Sequence, residues 1–342
     1  MKRIPLEVSG SGAVLLGGNI SCNGFHRDFK FRVQTHIHDD HMDSFDTSKG
    51  LQYILLSEAT KKLLIAEFNA ELKTRDNIRI LKLGTRVKIN HEEITLLSSG
   101  HMLGGVQVAV RLSSGMRLGY SSDFQWPLDK VIRVDALVVD STYGSPESVR
   151  KYTQAEVESR LIDLVLHELK RGPVHILSHR GTLHRALQLL SASVNCPLLG
   201  SPRFCADVAI YRECGYGIGD VLAVDSSDGK KAMSGKRYAR FYSKGDGFPV
   251  ELERGTTITL SAFMTPPDNP VMQYSDRSFR VALSNHADFY GTLEYVRATG
   301  AKFVLTDNTR GGHAIELARE IKSRLGVEAR PSASGLSHEW GV

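Results

Sequence analysis

The stretch "VQTHIHDDHMDSF", residues 33–45, decides how this chain reads. Three of its thirteen histidines fall between positions 36 and 41, with Asp39 and Asp40 among them. The preceding "FKFRVQT" (29–35) has the composition of a strand running into this cluster. On extended backbone His36 and His38 project to the same face, so both imidazoles can reach one ion. Asp40 and His41 follow where the chain turns and can point toward a second position. The pattern differs from a helical HExxH pair, whose ligands sit one turn apart. Neutral imidazole with carboxylate suits zinc, with manganese and iron behind it on donor type. A polar turn accounts for one such histidine, but poorly for three at this spacing.

Working outward, further donors follow strand-like segments. "GVQVAVRL" (105–112) sets Val106, Val108, Val110 and Leu112 on one face, the period-two pattern of a half-buried strand. "MRLGYSS", "ALVVDS" and "VHILSH" read as further strands. "LLSSGHMLGG" places His101 between a strand and a Gly-rich turn, and "GYSSDF" places Asp123 directly after another strand. Ligands delivered from successive strand ends onto one sheet edge make a rigid, partly open site. Helices alternate with these strands. "SEATKKLLIAEF" has Ser57 as N-cap, and "TQAEVESRLIDLVLHELKRG" has a Thr153/Glu156 capping box and a stripe of Val157, Leu161, Leu164 and Val165, with Gly172 as a stop. "HAIELAREIKSRLG" closes a last helix at Gly326. The whole is a mixed α/β chain without internal repeats.

Composition fits a globular protein: 342 residues, 41% hydrophobic and 24% charged, enough for two cores. No apolar run is long enough to span a bilayer, and the N-terminus lacks the pattern of a signal peptide. Cys22, Cys196, Cys205 and Cys214 show no CxxC pairing, so the expectation is buried free thiols in a reducing cytoplasm. A formal charge of +5 permits a polyanionic partner without requiring one.

Taken together, "THIHDDH", "SGHMLGG", "GYSSDF", "VVDSTYGS" and "ALSNHADFYGTLEYV" resemble, in order, the motifs of metallo-β-lactamase-fold hydrolases of the β-CASP nuclease group. "DSTYG" and "SNHAD" carry the discrimination, and the likeness runs from about residue 20 to residue 326. The resemblance implies a four-layer αββα sandwich (residues 1–170 and 273–342) with an inserted α/β domain at 171–272. It implies two divalent metal ions, zinc first and manganese second. His36, His38 and His101 would bind one, Asp40 and His41 the other, and Asp123 would bridge them. Asp40 would also share in catalysis, and Asp140 of "DSTYG" would orient His286 as general acid. Two positions depart from the pattern. Where relatives have a terminal histidine motif, this chain reads "LTDNTRGGHA", leaving Asp307 first and His313 second to complete the second metal's shell. Relatives also commonly carry an aspartate near Asn23, behind the metal motif, and Asn23 brings no charge.

In the insert, "SHRGTLHRALQLL" resembles the family's strand-to-helix segment, though without the family's Gly-Arg order, so Arg180, Gly181 and Thr182 are candidate phosphate contacts at a helix N-terminus, with solvent-exposed capping the alternative. His179 and His184 stand beside them. "GKKAMSGKRYARFYSKGDGF" mixes Lys236 and Arg237 with Tyr238, Phe241 and Tyr242; basic groups among aromatics can track a single strand and stack its bases, and a solvated hairpin with its aromatics on the inner face explains the same letters. Ser284 of "SNHAD" joins the substrate-binding set. The expected function is a dinuclear-metal nuclease on single-stranded RNA or DNA, RNA slightly favoured, often a homodimer in relatives. The alternatives are a DNA exonuclease of the repair type, a small-molecule phosphodiesterase, and an inactive relative that only binds.

Overall fold

The computed structural model describes residues 4–68, 70–243, 255–262 and 265–332. Lys244–Phe248 of the basic-aromatic stretch lie outside them. Strands are numbered β1–β20 and helices α1–α8 in chain order. The chain divides into two compact units, residues 1–149 with 286–342, and residues 150–285.

The first unit holds two sheets. One is built in sequential order from β1 (Leu6–Val8), β2 (Val14–Leu16), β3 (Ile20–Cys22), β4 (Phe31–Val33), β5 (Tyr53–Leu56) and β6 (Ile78–Ile80). Its first three strands are antiparallel, and β3 to β6 are parallel. The other begins with β7 (Arg86–Ile89), β8 (Glu92–Ser98), β9 (Val106–Arg111), β10 (Arg117–Tyr120) and β11 (Ala136–Val139). It is completed by β19 (Phe303–Thr306) and β20 (Glu328–Pro331), parallel to β11.

Period-two burial explains how the sheets stack. Val106, Val108 and Val110 of β9, Ile94 and Leu96 of β8, and Ala136 and Val138 of β11 enter one apolar cluster. Leu16, Ile20, Val33 and Leu55 of the first sheet enter the same cluster, so the two sheets face each other across it. The alternate residues Leu137 and Val139 of β11 face the other way, onto Phe289, Leu293 and Val296 of α7 (Phe289–Thr299) and Leu317 and Ile321 of α8 (Ala314–Leu325). Strand β11 is therefore buried on both faces, which is why "ALVV" is apolar throughout rather than alternating. On the first sheet, α1 (Phe45–Leu51) packs by β5.

The second unit is a parallel sheet with one antiparallel edge, in the order β14 (Leu222–Ala223), β13 (Leu198–Gly200), β15 (Ala239–Ser243), β12 (Val174–Ser178), β16 (Thr256–Leu260), β18 (Ser278–Val281), β17 (Val271–Ser275). Its helices include α3 (Gln154–Glu168), α4 (Thr182–Ser191), α5 (Pro202–Glu213) and α6 (Ser227–Ser234). The expected 171–272 insert is widened at both ends. The α3 helix packs on α4, and β17 and β18 extend the sheet beyond β16, so residues 150–170 and 273–285 belong here.

The capping signals hold. Ser57 Oγ accepts the Thr60 amide at the head of α2 (Glu58–Phe68), and Thr153 with Glu156 forms the reciprocal box that starts α3. Gly326 ends α8 in the left-handed region at φ +65°. Of the four cysteines expected to be buried, Cys22 is, Cys196 and Cys205 are half-buried, and Cys214, at the end of α5, is exposed. Among the described residues no helix is long and apolar enough to cross a membrane.

Candidate metal centre

The "HIHDDH" segment leaves β4 and folds into a single 3₁₀ turn, Asp39–His41. Two buried side chains fix its path. Gln34 Nε2 donates to the carbonyls of His36 (2.6 Å) and His41 (3.0 Å). Arg32, fully buried on the strand, donates through Nη1 to Asp43 O at 2.8 Å and through Nη2 to His41 O at 3.1 Å, and its fork grips Gln34 Oε1. Loop carbonyls that would otherwise lie buried and unpaired are thereby satisfied, and the loop has one conformation to adopt.

His101 arrives on the turn after β8. That turn is docked by Gly104, whose carbonyl accepts from Ser57 Oγ and Thr60 Oγ1, both at 2.9 Å. Gly104 lies at φ +78°, and a Cβ there would stand 2.6 Å from Thr60 N, so only glycine fits. Asp123 follows Ser122, which holds a left-handed φ of 53° and bonds through its hydroxyl to Thr35 Oγ1 at 2.7 Å. The local strain is balanced by that bond and aims the aspartate at the histidines.

The result is one donor group. Atoms of His36, His38, His101 and Asp123 all lie within 4.8 Å of one another. His101 Nε2 is 3.1 Å from His38 Nδ1 and 3.4 Å from Asp123 Oδ2, and His36 Nε2 is 3.5 Å from Asp123 Oδ2. Ring nitrogens crowd this closely without penalty only when neutral. Burial pushes His36 down to about 3 and His38 well below its ordinary value, so both stay neutral at physiological pH. His36 Nδ1 faces the hydroxyls of Thr35 (3.0 Å) and Ser122 (3.3 Å), leaving a buried Nε2 without a hydrogen-bond partner and turned to the cluster. Three imidazoles and a carboxylate, one with an orphaned lone pair, fit a divalent cation.

A second group joins Asp123 to Asp140 and His286. Asp140 Oδ1 is fixed by the amide and hydroxyl of Thr142 (2.8 and 2.6 Å). Its Oδ2 lies 3.1 Å from His286 Nδ1, which sets the ring with Nε2 3.8 Å from Asp123 Oδ2. The "STYG" that follows Asp140 serves packing as well. Ser141 Oγ donates to Asp307 O, and a Cβ on Gly144 would meet Leu317 Cβ of α8 at 2.8 Å.

The remaining candidates fall elsewhere. His41 is buried, with Nε2 3.1 Å from Asp123 Oδ1 and 3.3 Å from Asp40 Oδ2, yet Asp40 and His41 belong to neither donor group. Asp307 does not present its carboxylate to the cluster. Oδ1 takes the amide and hydroxyl of Thr309 (2.9 and 2.5 Å), and Oδ2 pairs with Arg310. His313 is half exposed at the head of α8, 3.9 Å from Glu316, and joins neither group. Arg310 was not foreseen. Its Nη2 donates to Gly12 O at 2.6 Å and its Nε to Asp40 O at 3.3 Å, on the wall of a recess of about 720 Å³ that Asp40 and Thr309 also line. A cation three residues after Asp307 in "TDNTR" was the available signal. For Arg32 it was a charge in the middle of an apolar strand.

In the 150–285 unit the expected substrate contacts are largely spent on the fold. Arg180 is 8% exposed and pairs through Nε with buried Asp207 at 3.2 Å, so it is no free phosphate clamp. The Gly181 amide donates to His184 Nδ1 (3.3 Å) and the Thr182 amide to Arg180 O (3.0 Å), so neither is held open for an anion. Phe241 and Tyr242 are core residues of β15, Phe241 stacked on Phe204 and Tyr242 hydrogen-bonded to His175 Nδ1 at 3.1 Å. Burial removes both from base stacking. Lys236 and Arg237 are exposed, Tyr238 is half-buried, and His179 is exposed. Ser284 is half-buried near the end of this unit.

No family profile matches the chain. An "Uncharacterized protein in lig 3'region" from Acidianus ambivalens is 33% identical over 135 residues, which are 38% of this chain and 96% of that protein. A crystal structure of a protein of unknown function from Enterococcus faecalis V583 aligns with a TM-score of 0.55 at 11% identity, over 82% of this chain and 76% of that one. That likeness concerns the fold alone, a mixed α/β architecture.

Proposed function

We propose that this chain, which belongs to the same family as the Acidianus ambivalens protein, is a metal-dependent hydrolase of phosphodiester bonds in single-stranded nucleic acid, built on the αββα sandwich with a β-CASP-like insert. The observation that carries the reading is the convergence of His36, His38, His101 and Asp123 on one point, with the Asp140–His286 pair beside it. Zinc is the ion best suited to this donor set. When bound there, it would supply Lewis acidity and a water of lowered pKa.

The chain's own groups divide the rest of the work. His286, with Nδ1 on Asp140 Oδ2, keeps Nε2 turned to the centre and can hold the proton that a leaving alkoxide needs. Asp140 fixes that tautomer and stabilises the imidazolium. Thr142 keeps Asp140 from rotating away. Exposed Lys236 and Arg237 are free to meet phosphates, whereas Arg180 is not.

The test is cleavage of end-labelled single-stranded RNA and DNA with zinc or manganese, against His36→Ala. We expect cleavage by the intact chain only, and binding that weakens with salt. His286→Ala should slow cleavage by about 10²–10⁴-fold with metal content unchanged. Turnover of a small phosphodiester with no action on either polymer would refute the nuclease reading. RNA is the first substrate to try. The DNA-exonuclease alternative has one observation of its own, that the Acidianus ambivalens relative carries a name placing it in a lig 3′ region.

A further inference from the structure

The neighbouring position, around His41, is built differently from the first. Asn23 lies at 0% exposure behind it, in the left-handed region at φ 56°. The Thr35 amide donates to Asn23 Oδ1 at 2.9 Å. A backbone N–H can only donate, so this bond fixes which end of the Asn23 amide is oxygen. The NH₂ end therefore faces His41 Nδ1, at 2.7 Å, and Thr35 Oγ1, also at 2.7 Å. An amide NH₂ has no lone pair to offer. His41 Nδ1 must accept, and in neutral imidazole the proton then resides on Nε2.

His41 Nε2 is the atom turned toward Asp123 Oδ1 and Asp40 Oδ2, 3.1 and 3.3 Å away, in linear hydrogen-bond alignment with neither. A metal ligand needs a lone pair there. Freeing it by moving the proton to Nδ1 would set N–H against N–H at 2.7 Å in a buried site. Losing the proton altogether would demand an imidazolate. His36, five residues earlier, is backed by the Thr35 and Ser122 hydroxyls, which can accept an Nδ1 proton and leave Nε2 open. An aspartate at position 23 would do for His41 what the hydroxyls do for His36.

The charge a second ion would bring is supplied by protein. The Arg310 guanidinium lies against Asp307 Oδ2 and Asp40 O, where the sequence had suggested a metal ligand. We propose that the centre holds one metal ion, in the His36–His38–His101–Asp123 pocket, and that the adjoining position is closed to a second by the Asn23-imposed Nε2–H form of His41 and by Arg310. The inference shares only the first ion with the nuclease reading. The metal count is read without any substrate, so the two can fail separately.

The experiment is zinc content by elemental analysis on the full chain, loaded with zinc and freed of excess by gel filtration. We expect about one zinc per chain, rising to about two in Asn23→Asp, alone or combined with Arg310→Met. Two retained by the unaltered chain, or one in both variants, would overturn the assignment. An unaltered chain that retains none would remove the first ion, and the inference with it. Should the variants not fold, proton–nitrogen correlation of the ¹⁵N-histidine-labelled, zinc-loaded chain decides. His36 is expected as Nδ1–H with metal on Nε2, and His41 as Nε2–H with a bare Nδ1. A metal-shifted Nε2 on His41 would overturn the proposal.

Discussion

Two strand exits invite comparison, the one after β4 in the first unit and the one after β12 in the second. Each runs from a buried strand into a short stretch of histidine and charge, "QTHIHDDH" and "SHRGTLH". Each contains a fully buried histidine pushed down to about 3, His36 by burial above all, and His184 by burial and then by the Arg180 charge. Their surroundings differ. Around His36 the neighbours are further donors, and its Nε2 points at three of them. Around His184 the neighbours are rings, Tyr211 stacked parallel at 4.1 Å and Phe204 at 4.9 Å, and its Nδ1 takes the Gly181 amide. A buried neutral histidine is thus a candidate metal ligand in one place and a packing residue in the other. What separates them is the company of the outward nitrogen, not the burial.

If that contrast is sound, the largest effect should come from Asp123→Ala, which removes the only carboxylate common to both donor groups. Loss of zinc affinity beyond the ~10–100-fold typical of losing a supporting hydrogen bond is expected, read by elemental analysis. Unchanged metal content would erase the distinction between the two exits. Next comes Arg180→Ala, which breaks the buried Arg180–Asp207 pair and should cost about 3–5 kcal/mol in urea unfolding. The same change should leave the salt dependence of the proposed nucleic-acid binding as it was. A mild stability effect with a flatter salt slope would restore Arg180 as a phosphate contact.

His184 sharpens the comparison through pH. Its folded value lies below the unfolded one near 6.5, so the unfolded chain binds the extra proton at intermediate pH. Stability is then complete above about pH 6.5 and drains away as pH falls toward 3, by up to about 1.4 kcal/mol per pH unit. His184→Gln should remove that slope, seen as a smaller difference between urea midpoints at about pH 7.5 and 5. An identical slope in the variant would mean that another group carries it. Smallest of all, Tyr242→Phe should cost about 1 kcal/mol for its lost bond to His175 and leave nucleic-acid affinity alone. A drop in affinity with unchanged stability would return this ring to the stacking set.

The sequence carried the grouping of His36, His38, His101 and Asp123 far because its information is local. His36 and His38 are two apart and leave one strand, His101 follows β8, whose burial alternates plainly, and Asp123 follows the end of β10. Period-two burial and capping chemistry also depend on near neighbours, which is why β9, the Ser57 cap and the Thr153 box stand where the residues put them. The same locality left β15 open. Tyr242 among Arg237 and Arg240 reads equally as a basic, base-stacking strip or as an inward-facing ring until the sheet places its strand between two parallel neighbours.

What the tertiary structure alone decided lies at long separation. Asp307 is near the right place in the sequence, but whether it meets a metal or a guanidinium depends on Gly12, nearly three hundred positions away, which helps hold Arg310. The polarity of the Asn23 amide is likewise set by Thr35 and felt at His41. A residue's type fixes which bonds it can make, and that much is written in the chain. Which partner occupies each donor and acceptor is settled only when distant segments compete for it in the same few ångströms.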